Sequence, residues 1–350
     1  MHRNMYVCTL HTYIHESSNS VLPGLKQEKT NVKYIQATKF GGPEVLTLLE
    51  TQTPTPGDGM LLVEVKAAGV NYLDLAARSG FYPQIPAAPF SPGFEIVGVV
   101  KSVGNGVEGF KEGDSVAAIT MEGGGYATHI VIPAAATIPL PPGLDPANVA
   151  ALLVQGLTAY MLLEETKVKA GDAVLISAAA GGLGSIAVQL AKAKGATVIG
   201  LASKSKFGTV KQLGADFVVD YNDAQWAASV REAVGSQGVQ VYLDSIGDPS
   251  TEAFSLLSTF GHWIVFGARS AGKPLPPEAI GRMIEENITL RGYNLGASLQ
   301  HIPRALGDLF KFFADGTLKI EITNYPLADA AKVHTLFGER KTTGKVVLIP

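Results

Sequence analysis

Two rhythms of apolar and polar residues divide the chain. Between Val32 and about Ile138 the apolar runs are short and often alternating: "MLLVEVKAAGV", "FEIVGVVKSVG", "DSVAAI", "YATHIVI". Turn segments such as "GNGVEG" and "MEGGG" separate them, a pattern that predicts a compact all-β domain. From Ala173 onward, continuous apolar runs ("AVLIS", "TVIGLA", "FVVDY", "VQVYLD", "HWIVFG", "ITLRGY") alternate with helical stretches. Strands apolar on both faces, with helices between them, predict a doubly wound parallel sheet. At the joint, "IPLPPGLDPAN" places Asp145 before Pro146 as a helix start. "NVAALLVQGLTAYMLLEE" then predicts a mostly apolar helix bridging the halves. A further helix, "IPRALGDLFKFFADG", and short strands, "KIEITNYPL" and "KVVLIP", follow.

At 350 residues two domains are expected rather than one. With 46% hydrophobic and 17% charged residues, the chain can bury sizeable cores instead of staying disordered. A net charge of −3 supplies no basic field, so neither nucleic acid nor a membrane surface is an expected partner. No run approaches the roughly 18 uninterrupted apolar residues of a membrane helix. The single cysteine, Cys8, excludes an intramolecular disulfide or a thiolate cluster and fits a reducing, cytoplasmic setting. Residues 1–31 lack the order of a secretory signal and read as a poorly ordered extension. Cys8, His11 and His15 within it have no fourth ligand for a metal. Val32 lies where a start would suit the fold, so initiation at that valine codon is an expectation.

The candidate chemistry centres on "SAAAGGLGS", Ser177 to Ser185. A small-residue turn is all that a lone glycine cluster establishes. Here "AVLIS" precedes it, and Leu183, Ile186, Ala187, Leu190 and Ala191 form one apolar helix face behind it. Gly195 supplies a C-cap, and "ATVIGLA" is the next strand. Ala179-x-Gly181-x-x-Gly184 in a strand–turn–helix–strand unit fits the dinucleotide fingerprint, with alanine first. The helix N-terminus, with Gly182 and Leu183, then offers free N–H groups to a pyrophosphate. An NAD site would place a carboxylate at the end of the second strand. This chain has Ala202 and Ser203 there, followed by Lys204 and Lys206, with Tyr221 after the third strand. Ammonium groups without a carboxylate suit a 2′-phosphate, so NADP(H) is the expected cofactor.

Several segments keep a recognisable order: "AAGVNYLDLAARSGFYP", "SPGFEIVGVVKSVGNGVEGFKEGDSV", "QGLTAY", "SAAAGGLG" and "ERKTTGKVVL". On these the chain resembles the medium-chain dehydrogenases/reductases, and most of all their quinone oxidoreductase (zeta-crystallin-like) branch. The resemblance covers about Val32 to Pro350. It implies a GroES-like β-rich catalytic domain over 32–153, a Rossmann NADP-binding domain over 154–294, and a C-terminal return to the catalytic domain over 295–350. The active site would lie in the cleft between them. At the three catalytic zinc positions of the related alcohol dehydrogenases this chain has Asn71 ("GVNYLD"), Phe94 ("PGFE") and Gln155. None is a zinc ligand, so no metal is expected.

Zinc stabilises an alkoxide, and a site without it suits an acceptor that delocalises its own charge. The expected activity is hydride transfer from NADPH to a quinone. The alternatives are an alkenal, enone or enoyl-thioester reductase and a catalytically silent NADP-binding protein. The resemblance places Asn71 near the nicotinamide, with an amide able to donate to a developing oxyanion. Tyr82 stands where related enoyl-thioester reductases carry a proton donor, and packing is the other role a tyrosine there can have. Thr158, Phe266, Gly267 and Arg340 match cofactor-lining positions. His129, His262, His301 and His334 have no metal spacing and read as structural. Family habit implies a homodimer paired through the Rossmann edge strand, here "ITLRGY".

Overall fold

The computed structural model describes residues 31–81, 87–247, 251–267, 274–275 and 277–350. The alternating first part forms β1 (Asn31–Ala37), β2 (Leu46–Gln52), β3 (Met60–Gly69), β4 (Glu95–Val103), β5 (Ser115–Ile119), β6 (His129–Pro133) and β7 (Thr137–Pro139). A short helix, α1 (Tyr72–Arg78), follows β3. Strands β1 and β2 pair with each other as an antiparallel ribbon.

Asp145 caps the joint helix as expected, accepting from Asn148 N at 2.9 Å. The helix is not uniform, however. It runs as α2 (Pro146–Ala151), a π-turn over Leu152–Leu157 and α3 (Thr158–Glu165), with Leu153 out of helical geometry at ψ −106°. The reason is a partner from another strand: Val154 N leaves the helix ladder and donates to the Glu95 carboxylate at 2.7 Å. Wide turns of this kind are frequent at functional sites. By length and hydropathy the 20-residue run Pro146–Glu165 resembles a membrane span, but 83% of its apolar 18-residue window is buried inside the protein.

The second part forms β8 (Ala173–Ile176), α4 (Gly182–Ala193), β9 (Thr197–Ala202), α5 (Phe207–Gln212), β10 (Phe217–Asp220), α6 (Trp226–Val234) and β11 (Val239–Asp244). It continues through α7 (Thr251–Phe254), β12 (Leu257–Val265), α8 (Pro277–Glu286) and β13 (Thr289–Gly292). The six strands lie in the order β10-β9-β8-β11-β12-β13, every pairing parallel, with "ITLRGY" at the edge. That is the doubly wound sheet its apolar runs predict, with the chain reversing direction across the sheet beside β8. Helix α4 departs from a one-sided pattern. Gly182 and every residue from Gly184 to Ala191 are buried, because α3 and the segment before β14 cover its outer side. Gln189 fastens that cover by bonding both Lys319 O and Lys319 N at 2.8 Å.

After α9 (Ile302–Ala314) come β14 (Ile322–Pro326), α10 (Ala330–Gly338) and β15 (Lys345–Ile349). Strands β14 and β15 join the first sheet in the order β14-β15-β3-β4-β5-β7, with β6 on β3. The register here builds the site. Val347 pairs with Gly69, and Val70 N donates to Val346 O at 2.9 Å, which puts Lys345 beside Asn71. Ala68 pairs with Ile96, which puts Glu95 beside Gly69. One apolar cluster runs from the parallel sheet through the joint helix to Ala67, Val97 and Ala117 of the other sheet.

Candidate active site

The glycine turn is made of backbone. Ala178 adopts a left-handed conformation (φ +50°), Gly181 N returns to Ala178 O at 2.8 Å, and the first helical bond runs from Ser185 N to Gly181 O. The amides between them have no place in the ladder, which is the property an anion uses. At Gly184 glycine is required by close approach to backbone, while at Gly182 a side chain would have to displace Gln155. A Cβ on Gly184 would lie 2.3 Å from Ala178 O, and one on Gly182 would lie 1.8 Å from Gln155 Oε1. Thr158 is buried with its hydroxyl on Val154 O, and Phe266 N donates to Asp244 O at 2.9 Å. Gly267 packs against Ser245, where a Cβ would meet the carbonyl at 1.9 Å.

Of the sequence-predicted phosphate residues, Lys206, Arg340 and Tyr221 lie together. Ser203 and Lys204 follow β9, and the Arg340 guanidinium lies 5.4 Å above the Tyr221 ring. Lys206 differs from a free phosphate ligand. Its Nζ donates to Arg340 O at 2.9 Å and Thr342 O at 2.7 Å, so it pins the C-terminal loop. Burial, and then Arg340, lower its pKa. The same loop docks on the glycine turn through Gly344 N to Ala180 O at 3.1 Å.

Asn71 stands at the N-terminus of α1, 3% exposed. Its Nδ2 donates to Glu95 Oε1 at 2.8 Å and its Oδ1 accepts from Lys345 Nζ at 3.2 Å. Lys345 and Glu95 form an ion pair with each other, both side chains fully buried. Gln155 donates to Val70 O at 3.2 Å, while its Oε1, facing Gly182, has no partner among the described residues. Phe94 is buried at 1% exposure. The three metal positions therefore hold two amides and a phenyl ring, and the nearby carboxylate is already balanced by an ammonium. That donor set does not fit zinc.

Beneath Asn71 lies a second polar group. Asp74 accepts from Asn71 N and Gly93 N, each at 2.8 Å, and burial pushes its carboxyl up to about 7. Tyr126 OH meets His334 Nε2 at 3.3 Å. Burial, and then Arg78, hold that imidazole down at about 3. Sequence reasoning missed Glu95, Lys345 and Asp74. Each stood inside a quoted motif, but nothing in the local pattern marks a carboxylate and a lysine 250 residues apart as partners. Tyr82 lies outside the described residues, as do Cys8, His11 and His15.

A doubly wound sheet with a glycine turn at its switch point, joined to a β-rich domain that supplies buried polar groups, defines a dinucleotide-dependent oxidoreductase. Residues 57–142 match the alcohol dehydrogenase GroES-like domain, and residues 182–311 match the zinc-binding dehydrogenase domain. Quinone oxidoreductase 1 of Escherichia coli K12 is 34% identical over 327 residues, 90% of this chain and 99% of that protein. A 2-haloacrylate reductase from a Burkholderia species is 34% identical over 330 residues, 89% of this chain and 97% of that protein. The crystal structure of Escherichia coli quinone oxidoreductase complexed with NADPH superimposes with a TM-score of 0.84 at 32% identity, covering 91% of this chain and all of that one. The chain belongs to the medium-chain dehydrogenase/reductase family, in its quinone oxidoreductase branch.

Proposed function

We propose that this protein is a zinc-independent NADPH:quinone oxidoreductase whose acceptor binds beside Asn71. The observation that carries the reading is the content of the three metal positions, Asn71, Phe94 and Gln155, next to a carboxylate already paired with Lys345. NADPH fits the residues present. Ala179, Gly181, Gly182, Leu183 and Gly184 offer a helix N-terminus without a side-chain cap to the pyrophosphate, and we assign the 2′-phosphate to Ser203, Lys204, Tyr221 and Arg340, with Lys206 holding the loop that carries Arg340. Thr158, Phe266 and Gly267 line the nicotinamide end. The bound cofactor supplies a hydride.

The protein's part is to exclude water, hold the acceptor and offer a hydrogen bond where oxygen gains charge. Asn71 offers that bond through Nδ2. A reduced quinone oxygen takes its proton from water, so no placed acid is needed. We place the enzyme in the cytoplasm as a homodimer paired through β13. Its expected partner is a small-molecule acceptor.

The second reading, reduction of an activated carbon–carbon double bond, draws on the similarity to the 2-haloacrylate reductase. An NADPH-oxidation assay with 1,4-naphthoquinone, an enone and 2-chloroacrylate tests both. Quinone turnover that survives chelator treatment is the expected result. Turnover confined to the unsaturated carbonyls replaces it with the second reading, and no turnover at all leaves an NADP-binding protein without catalysis. In the double-bond case a carbon must be protonated. Tyr82→Phe would then slow that reaction by ~10²-fold and leave quinone turnover within a few-fold.

A further inference from the structure

A primary amide on a free side chain presents its oxygen and its N–H with nearly equal ease. The proposed reaction needs only the N–H, and the chain has to choose. At Asn71 each end of the amide meets a buried charge of opposite character. Lys345 Nζ donates to Oδ1 at 3.2 Å, and Glu95 Oε1 accepts from Nδ2 at 2.8 Å. An ammonium has no lone pair and a carboxylate has no proton, so the flipped amide would set two donors and two acceptors against each other.

Both charges are themselves held. Glu95 Oε2 accepts from Val154 N at 2.7 Å, the bond that opens the joint helix. Lys345 Nζ also reaches Val70 O at 3.4 Å, and Lys345 N is fixed to Glu321 O at 2.8 Å. Gly69 leaves the carboxylate its room, since a Cβ there would lie 2.0 Å from Oε1. Solvent reaches neither charge. A buried ion pair of this kind is weak evidence for stability and fits a role in specificity.

We propose that the Glu95–Lys345 pair is the positioning device of the active site. It holds Asn71 in one orientation, with one Nδ2 hydrogen on Glu95 and the second, which has no acceptor among the described residues, offered to the acceptor's oxygen. This rests on the reading of Asn71 as the hydrogen-bond donor.

The test compares Asn71→Ala, the paired replacement Glu95→Leu with Lys345→Met, and all three together. Removing both charges at once avoids leaving one buried and alone. With 1,4-naphthoquinone the paired replacement should lower kcat by about tenfold or more while the NADPH Kd stays within about threefold. The triple variant should be no slower than Asn71→Ala, because groups acting through one residue are not additive. A paired variant that melts earlier but keeps kcat within about twofold overturns the proposal, as do losses that add in the triple variant. Normal turnover in Asn71→Ala would instead remove the donor reading itself.

The wild-type protein gives an answer that needs no folded variant. With asparagine labelled by 15N, one side-chain amide proton of Asn71 should lie downfield of the ordinary range and resist exchange with D2O. Ordinary shifts with fast exchange for both protons overturn the proposal.

Discussion

The turn at 178–184 is built of backbone, whereas the corner around Asn71 is built of side chains from four separate stretches of chain. The turn binds with N–H groups that the helix leaves over, and its side chains are mostly absent so that backbone can approach backbone. The corner works with an amide, a carboxylate and an ammonium, each of which must be paired because none is solvated. Gln155 touches both, with its Nε2 on Val70 O and its Oε1 against Gly182. The two regions should therefore fail differently. Added atoms damage the turn, and removed partners or altered protonation damage the corner.

The largest expected effect separates them by pH. Beneath the corner, His334 titrates at about 3 and Asp74 at about 7, both displaced chiefly by burial, while the turn carries no titratable group. The imidazole is held neutral in the folded state below its ordinary value, so its contribution is present above about pH 6.5 and is lost as pH falls toward 3. The carboxyl holds its proton in the folded state above its ordinary value, so it acts oppositely, losing stability as pH rises from about 4 to 7. Between pH 4 and 6.5 the two slopes oppose each other, and the wild-type profile alone hides both. Burial raises the neighbouring Tyr126 phenol and lowers the Arg78 guanidinium, each from an ordinary value far above that range. Replacing His334→Gln removes one slope at ~1.4 kcal/mol per pH unit, so the stability difference between variant and wild type should change by about 2 to 3 kcal/mol from pH 6.5 to 4.5. Urea unfolding at both values measures it, and a difference independent of pH would mean that His334 is not held neutral.

The same contrast explains what could be read from residues alone. The turn occupies Ser177 to Ser185 with a strand before it and a helix after it, so pattern and chemistry coincide in one window. The alternating and continuous apolar runs likewise carry the two sheets. The corner depends on register: Val347 opposite Gly69 and Ala68 opposite Ile96 bring Lys345 and Glu95 to Asn71. No period in the sequence encodes a pairing across 250 residues. The break at Leu152–Leu157 was hidden for a related reason. Its residues read as part of a mostly apolar helix, and what opens the ladder is a carboxylate from another strand.

A smaller effect tests the turn by adding one methyl group at each of two glycines. Gly184→Ala places Cβ 2.3 Å from Ala178 O, against backbone that cannot rotate away. Overpacking of that kind costs ~1 to 3 kcal/mol and should move α4 off the turn, lowering both stability and NADPH affinity. At Gly181 the backbone is extended and the nearest atom, Ala178 O, is 3.2 Å away. Gly181→Ala should cost clearly less stability than Gly184→Ala, because Ala178 O has to give by only a few tenths of an ångström, while still weakening NADPH if the pyrophosphate lies against that backbone. Thermal unfolding with and without NADPH separates the two, and equal behaviour of the variants would remove the distinction between fold glycine and ligand glycine.

The smallest effect asks whether strain in the turn serves binding. Two non-glycine residues with left-handed backbone make the comparison: Ala178 in the turn (φ +50°) and Phe260 in the bend of β12 (φ +61°), the latter 68% exposed. Each side chain costs ~1 to 2 kcal/mol in that conformation. Glycine relieves the strain but restores ~0.5 to 1 kcal/mol of chain entropy to the unfolded state, so a net gain of about 0.5 to 1 kcal/mol is expected at either site. Phe260→Gly should show that gain in Tm and leave NADPH affinity unchanged, since it loses little buried surface and lies away from the turn. Ala178→Gly should show the same gain while NADPH affinity falls a few-fold, because a freer residue 178 no longer fixes the carbonyl that Gly181 N and the first turn of α4 are built on. If affinity holds in both variants, the left-handed alanine is a tolerated accident of the turn. If it falls only in Ala178→Gly, the strain is part of how the backbone region is kept in binding shape, the counterpart of the ion pair that holds Asn71.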